Sequence, residues 1–253
     1  MSPLQMLILF LAAAAAGAIN SVAGGGSFIS FPALLLAGVP PIIANATNTT
    51  ALWPGSLASV GAYRRELASQ RAEILLFSGV SLVGGLIGAL LLLNTQEATF
   101  ERLIPYLLLA ATVIFVASPW LTRLTRRLGG QGKAGPMRRF GVLALYLLIA
   151  IYGGFFGAGL GILLLAALAL LGQENIHEMN ALKTLQAALV NGVAVVAFVI
   201  AGVVQWPIVL LMTAGAILGG YGGAAIARRI SPRAVRWLVI VISVSLTIYF
   251  FVA

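Results

Sequence analysis

Residues 180–184 read Asn-Ala-Leu-Lys-Thr, and residues 45–49, which lie 135 positions earlier, read Asn-Ala-Thr-Asn-Thr. The same shift superimposes the glycines of two further motifs without any gap. These glycines pair as Gly24 with Gly159, Gly26 with Gly161, Gly84 with Gly219, Gly85 with Gly220 and Gly88 with Gly223. Three separated motifs that share one offset indicate an internal repeat. We therefore assign residues 1–122 to a first repeat, 123–139 to a linker and 140–253 to a second repeat.

The composition shows which solvent surrounds most of this chain. Of its 253 residues, 61% are hydrophobic and 8% are charged, and the mean hydropathy is +1.07. A soluble domain carries about 25% charged residues and needs them for its surface. The sequence therefore predicts an all-α polytopic membrane protein and excludes a secreted domain or a cytosolic enzyme. The net charge of +9 then reflects membrane topology rather than nucleic-acid binding.

Apolar stretches divide the chain into ten segments, several of them shorter than the roughly 20 residues of a full span. Prolines at positions 32, 40 and 41 interrupt the second segment, and Pro54 interrupts the third. Short or interrupted segments are typical of discontinuous helices inside transporters. The segments are residues 3–22, 27–43, 44–62, 72–93, 103–120, 140–156, 158–172, 179–202, 206–226 and 235–252.

Basic residues are concentrated in three loops, at 64–71, 123–139 and 228–236. The positive-inside rule predicts that such loops are cytoplasmic. All three loops lie on one side only if each repeat crosses the membrane an odd number of times. Two odd repeats have opposite orientations, which is the inverted-repeat plan of many secondary transporters. We expect about five segments in each repeat and both termini outside.

Polar side chains follow one face of a segment in each repeat. Asn180, Lys183 and Thr184 are spaced i, i+3, i+4, and Asn45, Asn48 and Thr49 repeat that spacing. A lysine at the bilayer centre costs about 3 kcal/mol on insertion scales, so Lys183 should face a cavity or a partner. The alternatives are that Lys183 extends to the headgroups and that the amides only bond neighbouring helices.

The chemistry of these two stripes favours an anion as ligand. They offer an ammonium, amides and hydroxyls but no carboxylate, and helix N-termini favour negative charge. Two glycine runs, Gly24-Gly25-Gly26-Ser27 and the run from Gly157 to Gly161 that includes Gly159, precede two of the short helices. Their glycines either let backbone approach a bound oxyanion or serve only as tight turns and packing sites.

Other chemistries have no support in the sequence. There is no cysteine and no aspartate, and His177-Glu178 is not followed by the second histidine of a zinc protease motif. We therefore predict no metal, no cofactor, no catalytic residue and no nucleic-acid partner, and the protein is not expected to be an enzyme. Most of the four tryptophans are expected to anchor segments at the membrane interface, namely Trp53, Trp120, Trp206 and Trp237.

The glycine-rich run from Ala23 to Pro40, followed by Asn45-Ala46-Thr47-Asn48-Thr49, resembles the signature of the sulfite exporter TauE/SafE family. The second repeat is similar at Gly154–Leu171 and at 180–184, although Ala167 stands opposite Pro32. The resemblance covers essentially the whole chain. It implies an inner-membrane secondary transporter of small sulfur-containing or organic anions such as sulfite, sulfonates or sulfoacetate. The conserved half-motifs of the family fall on Asn45, Asn48, Thr49, Asn180, Lys183 and Thr184.

The sequence thus predicts a carrier that works by alternating access, with Lys183 neutralising a small anionic substrate inside the lipid bilayer. An anion channel is the main alternative, since it would use the same polar cavity. An intramembrane enzyme and a structural subunit of a larger complex are two further alternatives. The glycine ridges Gly84-x-x-x-Gly88 and Gly215-x-x-x-Gly219 predict close helix packing and would also permit a homodimer.

Overall fold

The computed structural model describes residues 1–22, 25–68, 70–129, 135–171, 173, 175–227 and 232–252. Every regular element within these ranges is an α-helix, so the predicted all-α membrane class is confirmed. The helices are α1 (Pro3–Val22), α2 (Ser27–Leu36), α3 (Pro41–Ala62), α4 (Arg64–Ala68), α5 (Arg71–Leu93), α6 (Glu97–Gly129), α7 (Pro136–Phe155), α8 (Leu160–Leu170), α9 (Ile176–Ile200), α10 (Trp206–Ala227) and α11 (Pro232–Val252).

Several helices are long and apolar enough to cross a bilayer by themselves. Among the described residues, five such spans occur, at Pro3–Asn20, Arg71–Leu93, Glu97–Leu121, Met137–Phe155 and His177–Ile200. Shorter apolar helices accompany them, including Ser27–Leu36 and Leu160–Leu170. The molecule is therefore a multi-pass membrane protein.

The two short helices α2 and α8 return the chain to the end of the molecule where the preceding long helix began. The Nε2 atom of Gln5, at the start of α1, donates to the carbonyl oxygen of Ala37, just after α2, at 3.2 Å. In the second half, Nη2 of Arg138 at the start of α7 reaches the carbonyl oxygen of Leu171, just after α8, at 3.5 Å. A 10-residue helix rises only about 15 Å, so α2 is too short to cross a bilayer by itself.

Two prolines that were expected to interrupt the second and third segments lie inside continuous helices, so this detail of the prediction was wrong. Pro32 is within α2 and Pro54 is within α3. Neighbouring helices tolerate such prolines in membranes because they can satisfy the freed backbone carbonyls. The boundary instead falls at Pro40 and Pro41, where Pro40 precedes the helix and Pro41 is its first residue. Proline is favoured there because its missing N–H has no partner in the first turn.

Two other boundaries also differ from the predicted segments. The basic loop 64–71 contains the five-residue helix α4. Helix α6 begins at Glu97 rather than near 103, because Glu97 and its neighbours form a polar first turn that hydropathy does not detect. The Oε1 atom of Glu97 accepts a hydrogen bond from the backbone N–H of Ile42 at 2.8 Å. This bond ties the start of α6 to the start of α3.

The predicted glycine ridges do hold helices in close contact. A Cβ atom added to Gly88 of α5 would overlap the carbonyl oxygen of Ile151 in α7. A Cβ atom added to Gly219 of α10 would overlap the carbonyl oxygen of Ala14 in α1. Each contact joins the fourth long segment of one half to the first segment of the other half. In both cases only glycine permits the observed backbone approach.

The described residues form two hydrophobic clusters. One cluster contains Phe77 of α5, Tyr146 of α7, Leu164 of α8 and Leu182 of α9. The other is larger and draws its residues from α1, α2, α3, α6, α10 and α11, with additional side chains from the ends of α5 and α9. The polar stripes of α3 and α9 lie where these two clusters adjoin, because α3 packs directly against α9.

Candidate functional site

The α3 stripe is buried in the interior of the protein. Asn45 and Asn48 are 2% and 3% exposed, and Thr49 is half-buried. Helix α3 presents these side chains together because they lie three and four residues apart. An amide in a bilayer interior must find partners within the protein, since lipid offers none. The hydrogen-bond partners of these side chains therefore show which part of the molecule the stripe contacts.

Asn45 bonds to the break between α7 and α8. Its Nδ2 atom donates to the carbonyl oxygen of Phe155, the last residue of α7, at 3.0 Å. The backbone of this break is left-handed at Gly157 (φ 79°) and Gly159 (φ 76°), a conformation that side chains with a Cβ atom rarely adopt. The predicted role of this glycine run as a tight turn is thus observed. The break also brings Asn45 of the first half next to backbone of the second half.

Lys183 lies against the first turn of α8. A Cβ atom added to Gly161 would lie 3.5 Å from Cδ and 3.9 Å from Cε of Lys183. Lys183 is only partly exposed, and its stem covers the backbone at a helix N-terminus that is free of side-chain capping. Asn180 and Thr184, its neighbours on the α9 stripe, are half-buried. Lys183 of the α9 stripe thus lies beside Gly161 on the α8 side of the break, whereas Asn45 bonds to Phe155 on the α7 side.

Asn191, further along the same face of α9, also reaches this break. A Cβ atom on Gly157 would lie 3.8 Å from Oδ1 of Asn191. The break is closed on a third side by Tyr152, whose hydroxyl donates to the carbonyl oxygen of Ala158 at 2.6 Å. Amides from α3 and α9 and the stem of one lysine thus lie against the four residues of irregular backbone at 156–159.

The equivalent turn between α1 and α2 has a different set of contacts. The backbone N–H of Gly26 donates to Oδ1 of Asn20 at 2.8 Å, and a Cβ atom on Gly26 would overlap the carbonyl oxygen of Ala16. Gly25 is left-handed (φ 94°), and Ser27 is the first residue of α2. Gly24 lies outside the described residues. Gly26 therefore packs on the backbone of α1, whereas Gly161, which aligns with it in the sequence, lies beside the stem of Lys183.

Asn48 aligns with Lys183 at the repeat offset of 135 residues. Its Oδ1 atom accepts no hydrogen bond from any described residue. A buried acceptor without a donor costs about 1–3 kcal/mol. Asn48 is therefore the polar group of the stripes that gains most from a donor brought by a ligand or water.

The structure adds contacts of Trp53 that the sequence interpretation missed. Trp53 was grouped with the residues expected near segment ends, but it lies in the middle of α3. Its Nε1 atom donates to the carbonyl oxygen of Ala188 in α9 at 2.9 Å, and its ring packs on Gly192. The bonded residues are separated by 135 positions, which is the repeat offset. Trp53 of the first half of the sequence thus contacts the residue that aligns with it at this offset in the second half.

A second missed group is a buried polar network between α5 and α9. The Oγ atom of Ser81 donates to Oε1 of Gln186 at 2.9 Å, and Nε2 of Gln186 donates to Oγ of Ser78 at 3.3 Å. Ser81 and Gln186 are fully buried. Gln186 lies one turn after Lys183 on the same helix, so this network also fixes the helix that carries the lysine. The comparison of the two repeats could not reveal this network, because the residue that aligns with Gln186 is Ala51, which has no polar side chain.

His177 and Glu178 lie at the first turn of α9, away from the polar stripe. The side chain of Asn175 accepts from the backbone N–H groups of both residues, at 3.0 and 3.5 Å. Within the described ranges, no cluster of three or more potential metal ligands occurs. The arrangement is that of an N-capped helix start.

The profile of the sulfite exporter TauE/SafE family matches residues 9–250. The chain belongs to this family. The "Probable membrane transporter protein" of Haemophilus influenzae is 30% identical over 247 residues, covering 96% of this chain and 92% of that protein. "Probable membrane transporter protein YfcA" of Escherichia coli K12 is 28% identical over 246 residues, covering 96% and 88%. "Probable membrane transporter protein ORF9" of a Sinorhizobium species is 30% identical over 244 residues, covering 96% and 91%.

No solved structure gives a significant match to the chain. The TauE/SafE chain is thus a membrane transporter whose relatives align along nearly their whole length. The polar contacts around its α7–α8 break join residues from both halves of this transporter.

Proposed function

We propose that this TauE/SafE transporter is a secondary carrier of small sulfur-containing or organic anions, of the sulfite, sulfonate and sulfoacetate class. The observation that carries the proposal is the position of Lys183, whose stem covers the first turn of α8 beside the α7–α8 break. A helix N-terminus carries about half a positive charge. The stem that bears the Lys183 ammonium lies against such an N-terminus, and both groups favour a negative ligand.

The distribution of carboxylates supports the choice of an anion. All acidic residues are glutamates, and the one nearest to Lys183 along α9 is Glu178, five residues earlier. At 3.6 residues per turn, Glu178 projects about 140° away from Lys183 around the helix. The face that carries Lys183 therefore has no negative charge of its own, and a substrate anion would supply it.

Contacts at the ends of the helices support two repeats of opposite orientation. The starts of α1, α3 and α6 lie at one end, joined through Ala37 and Glu97, and the backbone N–H of Gln205 before α10 donates to Thr47 there at 3.2 Å. At the other end, Nε2 of Gln70 before α5 donates to the carbonyl oxygen of Glu178 at the start of α9, at 3.1 Å. Equivalent helices of the two halves thus begin at opposite ends, as inverted repeats require.

We propose that the membrane is the inner one and that the basic loops at 64–71, 123–139 and 228–236 are cytoplasmic, as the positive-inside rule favours. The contacts support a position of these loops at one end of the molecule. Gln70 in the first loop and Arg138 in the second both bond to residues at the α8–α9 end. The third loop follows α10, whose 22 residues rise about 33 Å from the opposite end. The residues of this third loop at 228–231, and 130–134 of the linker, lie outside the described residues.

Loop orientation can be tested by labelling, since the chain contains no cysteine. A single cysteine introduced at Glu66 is expected to react with a membrane-impermeant maleimide only after cells are lysed. A cysteine introduced at Asn94, an exposed residue at the opposite end of α5, should react in intact cells. The reverse pattern would contradict the proposed orientation.

The substrate class can be tested with purified protein in liposomes. Uptake of labelled sulfite, an alkanesulfonate and sulfoacetate is expected to exceed that of empty liposomes and to saturate with concentration. Labelled choline serves as the cation control and should not enter. Linear, unsaturable anion flux would instead identify an anion channel, and absence of uptake of every anion would refute the proposal.

The direction of net movement follows from the membrane potential in this proposal. The free energy of a monovalent anion falls by about 2.3 kcal/mol per 100 mV when the anion leaves a negative interior. Export therefore needs no coupling ion.

A further inference from the structure

We infer that the two bodies that move against each other during transport are not the two halves of the sequence. One body contains α1, α2, α3 and α10, and the other contains α5, α7, α8 and α9. Each body thus takes three helices from one half and its fourth helix from the other half. The inference rests on the proposed alternating access, and it specifies which helices stay together.

The closest helix contacts lie inside these two bodies. Gly219 brings α10 onto the backbone of α1 at Ala14, and Gly88 brings α5 onto the backbone of α7 at Ile151. Lipid provides no hydrophobic force between helices, so small residues that allow such close packing are what hold membrane helices together. Sliding α5 along α7 would force Leu and Ile side chains past backbone that now accommodates only hydrogen atoms.

Polar side chains reinforce the same grouping. The Oγ1 atom of Thr213 in α10 donates to the carbonyl oxygen of Ala51 in α3 at 3.0 Å. Gln186 of α9 bonds to Ser78 and Ser81 of α5. In both bodies the fourth helix is therefore bonded to the third helix of the opposite half. Separating α5 from α9 would break the hydrogen bonds of the buried Gln186 and Ser81, and leaving buried polar groups without partners is costly.

The contact between the two bodies is of another kind. It includes the α3–α9 crossing, where Trp53 bonds to its repeat equivalent Ala188 and packs on Gly192, and the hydrogen bond from Asn45 of α3 to the last residue of α7. In an inverted repeat, a contact between two equivalent residues lies on the two-fold axis that relates the repeats. During alternating access the two repeats exchange conformations, and a contact on this axis can stay in place. Lys183 and Asn48 are each five residues from this point, on opposite bodies. A rotation about Trp53 would therefore open the polar stripes without breaking either body.

The two divisions of the molecule predict opposite distance changes, which four double-cysteine variants can measure. Leu11, Leu91, Leu148 and Leu218 are exposed residues of α1, α5, α7 and α10, respectively. Gadolinium labels attached through maleimides suit this measurement, because sulfite cleaves the disulfide of ordinary thiosulfonate spin labels. Each labelled variant is first checked for anion uptake. The distances between the two labels are then measured by double electron–electron resonance in lipid nanodiscs, without and with sulfite.

If the two inferred bodies move, the Leu11–Leu218 and Leu91–Leu148 distances stay constant, because each pair lies within one body. The Leu11–Leu91 and Leu148–Leu218 distances, which join different bodies, shift by several ångströms. Bodies that coincide with the sequence halves predict the reverse, and that result would overturn the inference. Unchanged distances for all four pairs in variants that transport sulfite would overturn it as well. Absence of saturable uptake in the unlabelled protein would refute the proposed function separately, because uptake is measured independently of the distances.

Discussion

Replacing Lys183 by methionine is expected to lower the initial rate of anion uptake at subsaturating concentration about 10- to 100-fold. A hydrogen bond to a charged group contributes about 1.5–3 kcal/mol, and each 1.4 kcal/mol is a factor of ten in binding. Methionine removes the ammonium but keeps an unbranched stem that can still cover Gly161. The loss would therefore report the charge rather than a packing defect. Initial rates in liposomes at several anion concentrations measure it.

Matched variants show whether this effect belongs to the proposed site. Arg102→Ala removes an exposed positive charge near the start of α6 and should leave uptake unchanged. Lys183→Arg keeps the charge and should retain part of the activity. Asn45→Ala removes one interhelical hydrogen bond, worth about 0.6 kcal/mol in membranes, and should lower uptake about threefold. Wild-type uptake by Lys183→Met would exclude Lys183 from the substrate site.

Replacing Gly88 by leucine is expected to produce the largest loss of stability of any single change considered for this protein. Even a Cβ atom at this position overlaps the carbonyl oxygen of Ile151 and lies 2.7 Å from the backbone nitrogen of Phe155. Helices α5 and α7 would have to separate, which would also displace the α7–α8 break that follows Phe155. Overpacking of a core costs about 1–3 kcal/mol and occasionally more. We expect Tm in detergent to fall by roughly 10 °C.

Gly79→Leu is the control, because Gly79 lies in the same helix and no described atom of another helix lies within 4 Å of an added Cβ atom. Leucine is a better helix former than glycine by up to about 0.8 kcal/mol, so this variant should be as stable as the parent or more stable. Thermal unfolding followed by size-exclusion chromatography compares the two. Equal Tm values for both variants would show that the α5–α7 approach does not limit stability.

The sequence was sufficient to predict the class of fold, whereas the inverted arrangement of two repeats stays a prediction. Lipid as solvent follows from the scarcity of charged residues, because no arrangement of this chain could cover a soluble surface. The two short helices were predictable from glycine runs followed by segments too short to span. The prolines were less informative, because Pro32 and Pro54 lie within helices while Pro40 and Pro41 form a boundary. Whether a proline interrupts a membrane helix depends on neighbouring helices, which a single segment does not reveal.

The candidate site shows the same division between what was predictable and what was not. The polar stripes of α3 and α9 could be found from periodicity, since residues three and four apart share a helix face. Their partners could not, because Asn45 bonds to a backbone carbonyl of Phe155, and every residue has a carbonyl group. Trp53 and Gln186 were missed for a related reason. Each acquires its importance from a helix more than 100 residues away.

The sequence by itself determined that lipid surrounds most of this chain, that it is an all-helical membrane transporter, and that one lysine lies among amides on one face of a helix. These properties depend on composition and on spacing along the chain. Only the tertiary structure decided that α5 packs on α7 and α10 on α1, so that helices of the two halves are exchanged. That exchange depends on backbone surfaces of glycine and alanine approaching each other. Many helix pairs in this chain carry such surfaces, and only their arrangement in three dimensions selects the pairs that meet.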